Sequence, residues 1–143
     1  MTRKKGLQTI QTLAESTEMM QSRIVLDQRS VVREEENRLE QLVQYQSEYH
    51  AMSSRPEQGV CIHFVRGRRS FVQKLNEAID NQRQVVLRAH ERLDTYMGQW
   101  RDARAKALSL QKFADRIAAQ ENLQVARREQ TELDDIGRLV TGR

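Results

Sequence analysis

The sequence predicts an all-α protein, a long antiparallel two-helix coiled-coil hairpin whose second helix is longer and overhangs the first. Three observations support this fold class: a heptad-spaced apolar stripe, a single break between two helical segments, and a composition poor in core-forming residues. The chain has 143 residues, of which 38% are hydrophobic, 31% charged and only 5% aromatic. This composition suits one coiled-coil domain rather than a globular enzyme, so function is expected at surfaces, ends and partners.

The apolar stripe occupies the second half of the chain and begins at Phe71. Its steps alternate between four and three residues for about six heptads, which is typical of a helix that packs along its whole length against another helix. One extra step of four, from Ala89 to Leu93, predicts a stutter in the supercoil. The members of the stripe are Phe71, Leu75, Ala78, Gln82, Val85, Ala89, Leu93, Tyr96, Trp100, Ala103, Ala107, Leu110, Ala114 and Ile117.

The break between the helices is predicted at Pro56, the only proline of the chain. Proline lacks a backbone N–H and disfavours helical geometry in the preceding residue. We expect a first helix over about 5–52, a loop over about 53–69 and a second helix over about 70–140, with Ser70 as its N-cap. The apolar residues expected to form the first seam are Leu7, Ile10, Leu13, Ala14, Met20, Ile24, Val31, Leu39, Leu42, Tyr45, Tyr49 and Met52.

A chain reversal near residue 61 predicts the register of the hairpin. Residues that face each other across the seam should have numbers that sum to about 122, which follows from the antiparallel geometry of adjacent helices. Tyr49 would then lie near Gln73, and Leu7 near Asp115. Beyond Ile117 the second helix would lack a partner, so its last twenty or so residues are expected to be a single overhanging helix or a frayed tail.

The charge distribution argues against nucleic acid as the partner. The net charge is +4, but 24 cations are interspersed with 20 anions, as on a solvated coiled-coil face. Cys61 is the only cysteine, which excludes an intramolecular disulfide and favours a reducing compartment. The basic N-terminal residues are not followed by an apolar signal region, and no apolar run is long enough for a membrane span. We therefore expect a cytoplasmic protein.

No pattern of catalytic, cofactor-binding or metal-binding residues emerges from the sequence. His50, His63 and His90 are scattered, and the Cys61-Ile-His63 pair has no second ligand pair at zinc-finger spacing. Gly67 is isolated and is not part of a phosphate-binding loop. The prediction is a protein that is not an enzyme, with no catalytic residues, cofactor, metal or small-molecule substrate.

A basic cluster, Arg66, Arg68 and Arg69, is expected in the loop just before the second helix. Cations at a helix N-terminus interact unfavourably with its dipole. Two interpretations stay open, a solvated loop and a contact for an acidic partner.

An aromatic patch is the most specific candidate site. Leu42, Tyr45 and Tyr49 share one face of the first helix, and the antiparallel register places them beside the start of the second stripe. Two tyrosines and a phenylalanine are more aromatic surface than a narrow two-helix seam needs, and aromatic residues are enriched where partners bind. Seam packing is the alternative, and it is favoured for Leu75. The candidate residues are Leu42, Tyr45, Tyr49, Phe71, Leu75, Ala78 and Gln82.

The chain resembles the FliJ family, flagellar export proteins of bacterial type III secretion. The resemblance rests on four stretches in the same order and spacing: 7–14 (LQTIQTLA), 42–49 (LVQYQSEY), 71–79 (FVQKLNEAI) and 99–101 (QWR).

The resemblance implies a non-enzymatic coupling protein, similar to the stalk subunit of rotary ATPases. Its terminal end would enter the pore of the hexameric flagellar export ATPase. It would also bind the cytoplasmic domain of the export-gate membrane protein and the flagellar export chaperones, at the inner face of the cell membrane. The family's gate-binding surface maps onto the aromatic patch, with two departures: the family usually has Gln at Arg38 and His at Gln82.

Two other functions are compatible with the sequence. One is the equivalent stalk of a virulence injectisome, which would share this architecture and differ in its partners. The other is a generic coiled-coil scaffold or a nucleic-acid-associated protein, for which DNA binding should depend steeply on salt.

Overall fold

Two long α-helices make up the fold. The computed structural model describes residues 2–53 and 62–142, with side chains described for 3–53 and 65–142. Helix α1 is Thr2–Ser53 and helix α2 is Ile62–Val140. They pack against each other as a two-helix hairpin, as the sequence predicts. Pro56, at the predicted break, and Cys61 lie outside the described residues.

The start of α2 corrects the predicted loop. The helix begins at Ile62 rather than near Ser70, so Arg66, Arg68 and Arg69 lie in its first turns and not in a loop. Gly67 is the only helix-weakening residue in this stretch, and a single interior glycine costs about 1 kcal/mol relative to alanine. That cost is small enough for the eight further residues 62–69 to be helical. At the other end, Gly142 adopts a left-handed φ of 59°, which ends α2.

Contacts divide the chain into two units, Met20–Trp100 and Met1–Met19 with Arg101–Arg143. Each unit contains part of both helices, and the helices run antiparallel in each. In the first unit Gln46 donates a hydrogen bond to Asn76, and in the second Gln11 donates one to Gln111. Both pairs have numbers that sum to 122, which confirms the predicted register. The assignment of one domain stays a prediction.

The buried stripe of α2 is shifted by one residue from the predicted one in its first part. Ile79 is 2% exposed, whereas Val85 is 39% exposed and Phe71 is 50% exposed. With Val72, Ile79 and Val86 in the seam, the steps of four and three continue to Glu121 without interruption, so the predicted stutter at Ala89 and Leu93 is wrong. The seam residues are Val72, Leu75, Ile79, Gln82, Val86, Ala89, Leu93, Tyr96, Trp100, Ala103, Ala107, Leu110, Ala114, Ile117 and Glu121.

The seam of α1 is far more polar than its apolar residues suggest. Ile10, Leu13, Met20 and Val31, all expected in the seam, are exposed. All four lie one residue before a seam position, and several seam positions hold Gln or Glu. The seam again follows steps of four and three: Leu7, Gln11, Ala14, Glu18, Gln21, Val25, Gln28, Val32, Glu35, Leu39, Leu42, Gln46 and Tyr49. Polar side chains therefore carry much of the contact between the helices.

The overhang of α2 begins slightly later than predicted. Lys4 pairs with Glu121 at 2.6 Å, which is the last described ion pair between the helices in this unit. Every described residue from 122 to 142 is exposed, and the segment is helical to Val140. Within residues 2–53 and 62–142, neither helix is long and apolar enough to cross a membrane.

Candidate functional site

The aromatic patch forms a shallow groove at the seam in the unit Met20–Trp100. Tyr49 and Phe71 lie on different helices with ring centroids 4.9 Å apart and planes inclined at 41°. Offset and tilted aromatic pairs at this distance are favourable beyond the area they bury. The groove has a volume of about 320 Å³ and is lined by Tyr45, Glu48, Tyr49, Met52, Phe71 and Leu75. We call it the aromatic groove.

The candidate residues divide by exposure into a surface group and a supporting group. Tyr45 is 61% exposed and Phe71 is 50% exposed, although both are large and apolar enough for a core. Leu75 is 8% exposed and lies beneath them in the seam. Leu42, Tyr49 and Ala78 are half-buried at the boundary. The structure thus brings the predicted residues of both helices together, with Tyr45 and Phe71 presenting their rings to solvent.

Gln82 bridges the two helices one heptad away from Leu75. Its Nε2 donates to the backbone carbonyl of Glu35 at 3.0 Å and to Glu35 Oε2 at 2.6 Å. The other carboxylate oxygen of Glu35 accepts a hydrogen bond from Arg38 Nη1 at 3.1 Å. Arg38 and Gln82, the two positions at which the resemblance implies departures from the family's pattern, meet on one carboxylate. Charge-assisted hydrogen bonds of this kind hold side chains more firmly than neutral ones.

Three residues at or near the site were not among the predicted site residues. Glu35 belongs to the Glu34–Glu36 run, and only the phase of the helix decides which of the three carboxylates faces the seam. Met52 and Glu48 line the aromatic groove at its outer edge. The heptad phase would have found them, since both lie on the same side of α1 as Tyr45.

The remaining sequence candidates give no site in the described part of the chain. His90 Nε2 lies 2.7 Å from Glu36 Oε1, as an exposed pair between the helices. His50 lies in the last turn of α1. The side chain of His63 is not among the described side chains. No group of three or more His, Cys, Asp or Glu side chains that could hold a metal occurs among the described residues.

Comparison with known proteins gives consistent results across the chain. The model of the family described as "Flagellar FliJ protein" matches residues 3–143. A curated protein named "Flagellar FliJ protein", from Salmonella typhi, is 24% identical over 131 residues. That alignment covers 91% of this chain and 89% of the relative. The match therefore includes both helices, the aromatic groove and the overhang.

Proposed function

Because this chain belongs to the FliJ family and is thereby a component of the flagellar export apparatus, we propose that it couples the hexameric export ATPase to the membrane export gate. In this proposal the protein is not an enzyme. It binds the cytoplasmic domain of the export-gate protein through the aromatic groove, the ATPase through the ends of its helices, and the export chaperones. It would act in the cytoplasm, peripherally at the inner face of the membrane below the flagellum.

The observation that supports gate binding most directly is the exposure of Tyr45 and Phe71. The seam beneath them is already filled by Leu75, so neither ring is needed to close the hairpin. Exposed aromatic side chains with a preformed groove between them are typical binding hot spots. Tyr49 and Phe71 are held by their mutual contact, which lowers the entropy lost when a partner binds.

Leu75 and Gln82 have a supporting role in the proposed gate site. Leu75 holds up the floor of the aromatic groove, and Gln82 fixes the spacing of the helices through Glu35. Leu42 and Ala78 complete the boundary between seam and surface. A substitution at Leu75 would therefore act on folding as well as on binding, whereas Tyr45 and Phe71 report on binding.

The overhang supports the ATPase contact. Residues 122–140 are helical, and every described side chain from 122 to 142 is exposed. An isolated helix of this length has marginal stability in water, so we expect the overhang to be stabilised by binding to a partner. Its position beyond the last pair of the hairpin suits a helix that enters a ring. Chaperone binding is proposed from family membership.

The experiment compares two double variants for binding to the purified cytoplasmic domain of the gate protein. Tyr45→Ala with Phe71→Ala should weaken binding by about thirtyfold or more, because one truncated hot-spot aromatic commonly costs about 2 kcal/mol. The matched control is Leu26→Ala with Leu87→Ala, which also removes one exposed apolar side chain from each helix, 57% and 52% exposed, away from the aromatic groove. The control should bind like the unmodified protein.

The same variants should be assayed for stimulation of the export ATPase. The aromatic double variant should stimulate normally, while a chain truncated after Glu121 should lose stimulation and keep gate binding. Loss of both activities in the aromatic variant, or unchanged gate binding, would contradict the proposed division of roles.

A further inference from the structure

A second groove lies on the other side of the hairpin seam in the unit Met20–Trp100. Its volume is about 510 Å³, and its apolar surface comes from Tyr49, Val65 and Val72. In α2 the aromatic groove uses Phe71, the residue before Val72, whereas this groove uses Gln73, the residue after it. Since successive residues of a helix point about 100° apart, the two grooves face opposite sides of the seam. We call this one the polar-edged groove.

The edge of the polar-edged groove carries a row of four exposed side chains on one face of α2. They are Arg69, Gln73, Asn76 and Asp80, all of which line the groove. Their spacing is four, three and four residues, which is symmetric about its centre. Their chemistry is a cation, an amide, an amide and an anion. When two copies of this row lie antiparallel, the cation of each copy faces the anion of the other, and the two kinds of amide face each other.

We propose that a second copy of this chain docks on the polar-edged groove through a two-fold axis near residues 74 and 75. Arg69 of each copy then faces Asp80 of the other, and Gln73 of each faces Asn76 of the other. A two-fold interface needs a self-complementary surface, in which every contact occurs twice. The symmetric spacing and opposed charges of the row provide this, and Val65, 39% exposed, and Val72 supply apolar area beside it.

Contacts within one chain leave polar atoms of the row available. Gln73 Nε2 donates a hydrogen bond to Glu77 Oε1 at 3.5 Å, which leaves the amide oxygen of Gln73 to accept from Asn76 of the second copy. Asp80 Oδ1 lies 3.6 Å from Arg83, and both side chains of that pair are largely exposed. Asn76 Oδ1 accepts a hydrogen bond from Gln46 at 2.6 Å, which leaves its amide hydrogens for the second copy. Exposed ion pairs of this kind exchange partners at little cost.

The complementary segment is short, and the dimer is accordingly weak. Residues 69–80 span about 16 Å of helix. The next residues outward on the same face, Arg66 and Arg83, are both cations and would face each other across the axis. An interface of this size falls among transient contacts, so the dimer should form at high protein concentration and weaken as salt rises.

Sedimentation equilibrium of the full chain, up to millimolar concentration and at low salt, tests the proposal. Arg69→Glu alone and Asp80→Arg alone should each weaken the dimer by about tenfold or more, because each substitution makes two like-charged pairs. An equimolar mixture of the two variants should dimerise again, since position 69 of either chain then faces the opposite charge at position 80 of the other. The double variant on one chain should also recover.

Lys74→Glu is the matched control, because Lys74 is exposed on the same helix within the same segment and does not line the groove. It should dimerise like the unmodified chain. Circular dichroism confirms that each variant retains its helices. A chain that stays monomeric at every concentration, or a dimer that neither reversal weakens, would overturn the proposal. So would single variants that the mixture fails to restore. None of these results bears on gate binding.

Discussion

Gln28 and Gln82 lie on facing helices, and each donates its side-chain amide to the backbone of the other helix. Gln28 Nε2 lies 3.0 Å from the carbonyl of Ala89, and Gln82 Nε2 lies 3.0 Å from the carbonyl of Glu35. The two bonds are one heptad apart on both helices. Since every helical residue has a backbone carbonyl, bonds of this kind could re-form after a slide of one heptad. Gln82 Nε2 also donates to Glu35 Oε2 at 2.6 Å, and a slide would lose this bond because it needs a particular facing side chain, so Gln82 and Glu35 favour the observed register of the unit Met20–Trp100.

The bond from Gln28 should contribute measurably to stability. Gln28 is 9% exposed, and its removal leaves the seam with a gap and loses the bond to Ala89. Gln28→Ala should lower the free energy of unfolding by about 1–2 kcal/mol, measured by chemical denaturation. Gln44→Ala is the control, since Gln44 is exposed and its hydrogen bond stays within α1. Equal effects at the two positions would contradict the role assigned to Gln28.

Replacement of Gln21 by an apolar residue should increase the stability of the protein rather than lower it. Its Oε1 is buried at the seam without a hydrogen-bond partner. A buried acceptor left unsatisfied carries the full cost of its desolvation, and an apolar side chain of similar size removes that cost. Gln21→Leu should therefore raise the free energy of unfolding by about 1 kcal/mol. A destabilised variant would show that the amide makes a contribution that the structure does not reveal.

The heptad pattern sufficed to predict the hairpin, its register and the overhang, but not which of two neighbouring stripes is buried. Phe71, Ala78 and Val85 directly precede Val72, Ile79 and Val86, and both sets are apolar. Which stripe is buried depends on the seam of α1. Because many seam positions of α1 are polar, a hydrophobicity pattern does not show which face of α1 meets α2. Four residues of the aromatic groove could be named in advance, because two tyrosines and a phenylalanine exceed the need of the seam: Tyr45, Tyr49, Phe71 and Leu75. The role of Glu35 could not be, because its neighbours are also glutamates.

The corrected phase can be tested at Ile79 and Val85. Ile79 is 2% exposed and Val85 is 39% exposed. Ile79→Ala should cost about 2–4 kcal/mol, because it leaves a cavity in the seam, whereas Val85→Ala should cost about 1 kcal/mol or less. The measurement is the denaturant midpoint at an unchanged slope. A larger loss of stability for Val85→Ala than for Ile79→Ala would contradict the corrected seam and favour the predicted stripe with its stutter.

Glu35 should prove more important than the glutamates on either side of it. Its carboxylate accepts hydrogen bonds from Arg38 and Gln82. Glu35→Ala therefore releases Arg38 and leaves Gln82 with only its bond to the backbone carbonyl of residue 35. The expected loss of stability is about 1–2 kcal/mol, since hydrogen bonds to charged groups contribute more than neutral ones. Glu34→Ala is the control, because Glu34 is exposed. Gate binding by Glu35→Ala should also weaken modestly, because fewer hydrogen bonds then hold the spacing of the helices beside Leu42 and Ala78.

The overhang should be separable from the stability of the hairpin. Removal of residues 122–143 takes away only exposed side chains among those described, and it keeps the pair of Lys4 and Glu121. The free energy of unfolding should change by less than about 0.5 kcal/mol, although helical circular dichroism falls with the lost residues. Truncation after Ala114 also removes half-buried Ile117 and the partner of Lys4, and should destabilise the chain by about 1–3 kcal/mol. If the shorter truncation destabilised the chain as much as the longer one, the overhang would be part of the fold rather than a segment available to a partner.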